Sequence, residues 1–175
     1  MKFEELVLKR QSCRKFLDKP VEREKLEKIA EVAHFAPSAC NSQPWTMHIV
    51  HDTEKAKELS ACLRDFGMNQ FTKEVPAFIV VSEKEAKLAI GSKLKYDNSH
   101  FVKYDIGELI AYLTLAAEEV GLSTCILGWL NNKKIATLLN FEESEVCNVV
   151  IAVGYSDIET RKKVRKELDS IVKWH

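Results

Sequence analysis

Apolar positions along the chain alternate between a helical and a strand-like period. Phe3, Leu6 and Val7 lie at helical spacing and predict a short amphipathic helix over residues 2–9. A second helix begins at about Glu22, where Leu26, Ile29, Ala30 and Ala33 follow the i, i+3, i+4, i+7 rule, and it must stop before Pro37. Trp45 to Val50 alternates and predicts a strand, after which Asp52 or Thr53 caps a helix through Ala56, Leu59 and Leu63. Residues 64–75 read as irregular and end at Pro76. Ala77 to Val81 is a continuous apolar run, the pattern of a strand buried on both faces.

Residues 83–100 are polar, carry Gly91, and read as a helix-loop. Lys103 to Val120 is strongly helical, with Asp105 and Glu108 resembling a capping box and Gly121 placed to end it. Ile106, Leu109, Ile110, Leu113, Ala117 and Val120 form one stripe; Ala111, Tyr112, Leu115 and Ala116 form another. A helix apolar on two sides is buried on two sides, here by a sheet below and another subunit above. Ser123 to Leu130 predicts a third strand containing Gly128, residues 132–139 a short helix, and Val146 to Gly154 a fourth strand. A basic tail then precedes a last helical turn or two. The elements mix without a strict β-α-β rhythm, which predicts one α+β domain over residues 1–175 with a mixed sheet flanked by helices.

Composition narrows the function classes. The 175 residues suffice for one domain with a sizeable core. Lys plus Arg and Asp plus Glu are both 26, so no global field argues for nucleic acid or an anionic membrane. No run approaches the ~20 apolar residues of a membrane helix. The opening Met-Lys-Phe-Glu-Glu lacks the apolar core of a secretion signal. Five cysteines (Cys13, Cys40, Cys62, Cys125, Cys147) are widely spaced without a C-x-x-C, which disfavours a disulfide framework or zinc site and suits a reducing cytoplasm.

Candidate chemistry concentrates in three polar clusters. Residues 37–45, Pro-Ser-Ala-Cys-Asn-Ser-Gln-Pro-Trp, frame Ser38, Asn41, Ser42 and Gln43 between prolines that fix backbone angles. That design suits a planar ligand with polar edges. Arg10, Ser12 and Arg14 form one basic cluster and Lys163 and Arg165 another; guanidinium forks and hydroxyls together suit a phosphate. Taken singly, each basic run reads better as a solvated face, and residues 161–166 lack the aromatic interleaving of a nucleic-acid patch. No G-x-G-x-x-G or P-loop is present. His48 and His51 fall on opposite faces of a strand and make a poor metal pair, and His34 and His100 read as surface or helix-end residues. Cys13, Cys40 and Cys125 have no assigned base and read as packed or semi-exposed thiols, while Trp45 and Trp129 read as core.

Together these residues resemble the FMN-dependent nitroreductase family, as a compact member. The resemblance rests on Arg10-x-Ser12-x-Arg14-x-Phe16, on Ala36-Pro37-Ser38-x-x-Asn41-x-Gln43-Pro44-Trp45, and on Asp105-Ile106-Gly107 opening a long helix. That helix ends in Glu119-Val120-Gly121-Leu122 and runs into Ile126-Leu127-Gly128-Trp129; Val153-Gly154-Tyr155 and the basic tail complete the order. The likeness covers nearly the whole chain.

It implies an intertwined homodimer with FMN at the interface and NADH or NADPH as reductant. Arg10, Ser12 and Arg14 would hold the FMN phosphate, ribityl chain and pyrimidine edge, with Arg14 nearest the ring; Lys163 and Arg165 would complete the phosphate site. Pro37, Ser38 and Asn41 would come from the second subunit, and Asn69 would reach the pyrimidine. Ile126, Leu127 and Gly128 would lie along the ring, with a backbone N–H directed at flavin N5. No catalytic side chain or metal is implied, because the chemistry resides on the cofactor. The implied activity is a ping-pong oxidoreduction from NAD(P)H to a nitroaromatic, quinone or related small acceptor, without nucleic-acid or membrane partners. Leu127 stands where many relatives carry a polar or acidic residue, and residues 83–100 are short where larger relatives insert helices. A non-catalytic flavin-binding or flavin-sequestering protein is the competing reading, and a basic interaction module is a third.

Overall fold

Strands β1 (Trp45–Val50), β2 (Ala77–Glu83), β3 (Ser123–Leu127) and β4 (Val146–Gly154) form one sheet in the order β1-β2-β4-β3. The computed structural model describes residues 2–84 and 100–175. All three strand pairings are antiparallel. The parallel component is an isolated bridge between Ser12 and Thr124, so the sheet is mixed only at its β3 edge.

The central position of β2 and β4 explains their apolar runs. Their alternate side chains face two separate cores, so both faces must be hydrophobic. On one face Ile79, Val81, Ile151 and Val153 pack against α2 (Arg23–Ala33) and α4 (Phe101–Glu119) through Leu26, Ile29, Leu109 and Leu113. On the other, Phe78, Val80, Val150 and Ala152 meet α3 (Thr53–Cys62) and α5 (Asn132–Leu139) through Leu59, Leu63 and Ile135. The short α1 (Phe3–Lys9) buries Leu6 and ends just before the Arg10 segment.

Local signals place most helix ends. Asp52 caps α3 by accepting from the Lys55 N–H at 2.9 Å. Asn131 caps α5 by accepting from Lys134 at 3.2 Å, and Asn140 ends it at φ 53°. Gly121 follows α4 at φ 80°, a conformation that favours glycine, while Leu122 N–H returns to Ala117 O.

Three expectations are corrected. Helix α4 begins at Phe101, so Asp105 is not part of a capping box; it is buried a turn inside and accepts from the Ala39 N–H at 3.0 Å. Strand β3 stops at Leu127, three residues before Leu130, and Trp129 beyond it is half exposed rather than core. The irregular stretch before Pro76 contains two short 3-10 turns, Asp65–Gly67 and Gln70–Glu74. The helix-loop expected over residues 83–100 falls almost wholly on residues 85–99, outside those described.

Candidate functional site

The basic tail and the segment after α1 converge at the start of β3. Ser12 bridges Thr124, and the Cys13 N–H donates to Thr124 O at 2.8 Å, which adds this segment to the sheet edge. The tail, leaving β4 at Gly154, folds back across it. Arg161 N–H and Nε donate to Gln11 Oε1 at 3.1 and 3.2 Å, and its Nη2 donates to Ser12 O at 2.8 Å. Gln11 Nε2 returns a bond to Glu159 O at 3.1 Å, and Lys163 Nζ donates to Arg10 O. A shallow cleft of about 440 Å³ results, lined by Arg10, Ser12, Arg161, Lys163 and Arg165 among others. Two of the three sequence clusters thus form a single cradle. Gln11 and Arg161 organise it, and neither was singled out as a site residue.

The cradle is electrostatically unfinished. Arg10 Nε and Nη2 are buried without a hydrogen-bond partner. Burial lowers the Arg10 pKa, opposed by Cys125 and Glu118, yet a guanidinium stays charged in water-accessible pH. Lys163 is lowered too, by burial first and then by Arg10, Arg165 and Arg161. Clustered cations with open donors suit an anion with several oxygens, such as a phosphate. Arg165 is exposed, with Nη1 donating to Val164 O at 2.7 Å; Arg14 is also exposed and has no hydrogen bond or ion pair among the described residues.

Strand β3 links this cradle to a second region. Cys125 and Leu127 turn into the core, whereas Ile126 lies on the opposite face and is 38% exposed. Only the backbone of Leu127 therefore reaches that outer face. Gly128 comes next, with nothing within 4 Å of where a Cβ would stand. Asn69, at φ 50°, donates from Nδ2 to Leu63 O and to Trp129 O, both at 3.1 Å. Its side-chain carbonyl accepts no hydrogen bond among the described residues.

The third cluster stays apart. The Pro37–Gln43 loop carries Cys40, Asn41 and Gln43 at φ 53°, 52° and 46°, three non-glycine residues in the left-handed region. Such conformations cost ~1–3 kcal/mol each and persist where neighbours enforce them. Asp105 holds Ala39, Ser38 Oγ accepts from Gln43 N–H at 2.9 Å, and Gln43 Nε2 donates to Asn41 Oδ1 at 3.2 Å. Among the described residues, no hydrogen bond or ion pair joins this loop to the cradle.

Sequence and structure comparisons place the chain among known proteins. A model of the nitroreductase family matches residues 7–155. A provisionally named NADH dehydrogenase/NAD(P)H nitroreductase of Archaeoglobus fulgidus is 31% identical over 154 residues, covering 86% of this chain and 83% of the relative. An FMN-dependent nitroreductase from Clostridium difficile is 31% identical with TM-score 0.76, covering 97% of this chain and 96% of the other. A nitroreductase family protein from Streptococcus pneumoniae superposes with TM-score 0.85 at 24% identity, covering 99% and 100% of the two chains, a likeness of fold.

Proposed function

The chain belongs to the nitroreductase family, and we propose that it is an NAD(P)H-dependent FMN oxidoreductase acting on a small aromatic or quinone acceptor. The observation that carries this reading is the pair of buried Arg10 donors, unpartnered among the described residues, in a cradle of six further polar or cationic residues. Arg10, Ser12, Lys163 and Arg165 would hold the FMN phosphate. Arg14 would stand toward the pyrimidine edge, where its charge would favour the reduced cofactor. Ile126 would supply apolar surface, and the Leu127 and Gly128 backbone would lie along the ring, with the Gly128 N–H offered to N5. The Asn69 carbonyl would face the pyrimidine. FMN held there would supply hydride acceptance from NAD(P)H and donation to the acceptor, the chemistry of a ping-pong cycle.

Pro37, Ser38 and Asn41 complete the site from a second copy of the chain. Two observations support a homodimer. The loop is preorganised at the expense of backbone strain, yet among the described residues no hydrogen bond or ion pair joins it to its own cradle. Large apolar side chains are also exposed on α1 (Phe3), α4 (Tyr104, Tyr112) and the tail (Val164, Ile171, Trp174), surface that a second copy would cover. No helix among the described residues is long and apolar enough to cross a membrane. Four buried thiols and one exposed thiol, all free, fit a reducing cytoplasm.

Purification tests the reading directly. The protein is expected to elute as a dimer with flavin absorbance, and stopped-flow mixing with NADH or NADPH is expected to bleach it. Flavin that neither coenzyme reduces would instead identify a flavin-sequestering protein. Colourless protein that takes up no FMN on titration refutes both.

A further inference from the structure

The chain just beyond β3 has left the sheet; among the described residues its bonds gather on one acidic residue of a neighbouring loop. Asp65 lies in the 3-10 turn after α3 and accepts a bond from each of three residues beyond Gly128. Trp129 Nε1 donates to its backbone carbonyl at 3.2 Å, Asn131 Nδ2 to Oδ2 at 2.8 Å, and Lys134 Nζ to Oδ1 at 3.3 Å. Asn69 and the Asn131 N–H add bonds to Trp129 O and Cys62 O. The next residue, Phe66, sits at φ 57°, a strained conformation for a bulky side chain, with its ring edge-on to Trp129 at 6.2 Å. Both rings remain at the surface, Phe66 93% exposed. This polar stitching therefore does not build core. It fixes the course of the backbone from Gly128 to Asn131, immediately after the last sheet-paired residue, Leu127.

We propose that Asp65 is a positioning residue which, through Trp129, Asn131 and Lys134, fixes the Gly128–Trp129 backbone against the ring end of the cofactor site. The inference rests on the FMN reading above. The Gly128 peptide has no side chain to anchor it and open space on its Cβ side, so Trp129 and Asn131, the anchored residues just beyond it, set its orientation. In the oxidised flavin N5 has a lone pair that accepts a hydrogen bond; in the reduced flavin N5 carries a proton, and a donor aimed there loses its acceptor. A firmly held N–H therefore stabilises the oxidised form selectively. Loosening the clasp raises the two-electron potential, while the distant cradle keeps the cofactor bound.

Three variants of the FMN-loaded dimer separate positioning from charge: Trp129→Phe, Asp65→Ala and Asp65→Asn. Trp129→Phe deletes the indole donor while the Asp65 charge stays; its potential is expected to rise by the equivalent of about tenfold in the relative affinity for oxidised and reduced flavin, about 30 mV for two electrons. Asp65→Ala is expected to rise by at least as much, with the FMN dissociation constant within about threefold of wild type. Asp65→Asn keeps one oxygen acceptor, enough for the shorter bond from Asn131, loses the bond from Lys134, and is expected to restore part of the wild-type value. Potentials unchanged in Trp129→Phe, or raised equally in Asp65→Asn and Asp65→Ala, overturn the proposal. Amide hydrogen exchange at residues 127–131 of the flavin-free chain gives a reading independent of the cofactor. Faster exchange in Asp65→Ala and Trp129→Phe supports the clasp, and unchanged exchange overturns it. A wild-type chain that binds no FMN refutes the functional reading instead.

Discussion

Arg10→Met separates what the cradle costs from what it does. Arg10 Nε and Nη2 are buried without partners, and a buried donor left unsatisfied costs ~1–3 kcal/mol. Methionine keeps much of the side chain's length and removes both donors. It also removes one of the three cations that depress Lys163. Against this stands the attraction of Arg10 to Glu118, an interaction of ~1 kcal/mol or less at a partly solvated site. The balance favours the flavin-free variant by ~1 kcal/mol, which a chain of this size registers as a Tm about 2–4 °C higher.

FMN reverses the order. A charge-assisted contact to phosphate contributes ~1.5–3 kcal/mol, so its loss weakens binding roughly 10–150-fold. At FMN one hundred times the wild-type Kd, wild type gains ~2.7 kcal/mol, while the variant gains only about 0.3–1.4 kcal/mol. The two proteins are therefore expected to exchange rank in Tm when FMN is added. Differential scanning calorimetry at one fixed protein concentration, with and without FMN, reads both arms. A flavin-free variant that melts below wild type refutes the unsatisfied guanidinium. Equal FMN-induced gains refute the phosphate assignment.

Three further outcomes are expected. Gly154→Ala places a Cβ 2.9 Å from Phe16 Cδ1 and from Pro76 Cδ, two rings that cannot swing aside, and overpacking of this kind costs ~1–3 kcal/mol; urea unfolding measures it. Asp105→Ala releases the Ala39 N–H from a charged acceptor contributing ~1.5–3 kcal/mol, so exchange over residues 39–43 rises roughly 10–150-fold. Burial pushes the Glu145 pKa up, but hydrogen bonds from Ser82 and His48 outweigh it and hold the carboxyl below its ordinary range. A depressed carboxylate stabilises the fold above its unfolded pKa, and that contribution vanishes as pH falls from about 4.3 through the folded value. Thermal melts of Glu145→Gln are therefore expected to lose part of the wild-type decline below that pH, and parallel curves would count against the carboxylate.

How much of this was legible in the sequence depended on the range of the interaction that fixes each residue. Central strands β2 and β4 announce themselves because both faces are buried, and Asp52 and Asn131 act within three residues of themselves. Asp105 shows where local reading fails. A carboxylate near a helix start looks the same whether it caps its own helix or holds a loop 66 residues away, and only the position of Phe101 one turn earlier decides. The cradle was half legible for the same reason. Arg10, Ser12, Lys163 and Arg165 are visible as donors, but Arg161 meets Gln11 across 150 residues and in isolation resembles any solvated charge. Trp129 was misplaced because an indole is assigned to the core by its area, whereas here its N–H is held outward by the Asp65 carbonyl. Likewise His48, which stacks on Phe141 at 4.6 Å and binds Glu145, has no partner within its own strand. The residues that would touch a ligand carry their chemistry on their own side chains. Those that aim them act through contacts the linear chain does not display, and for the Ser38–Asn41 loop the proposed dimer would supply them from a second copy.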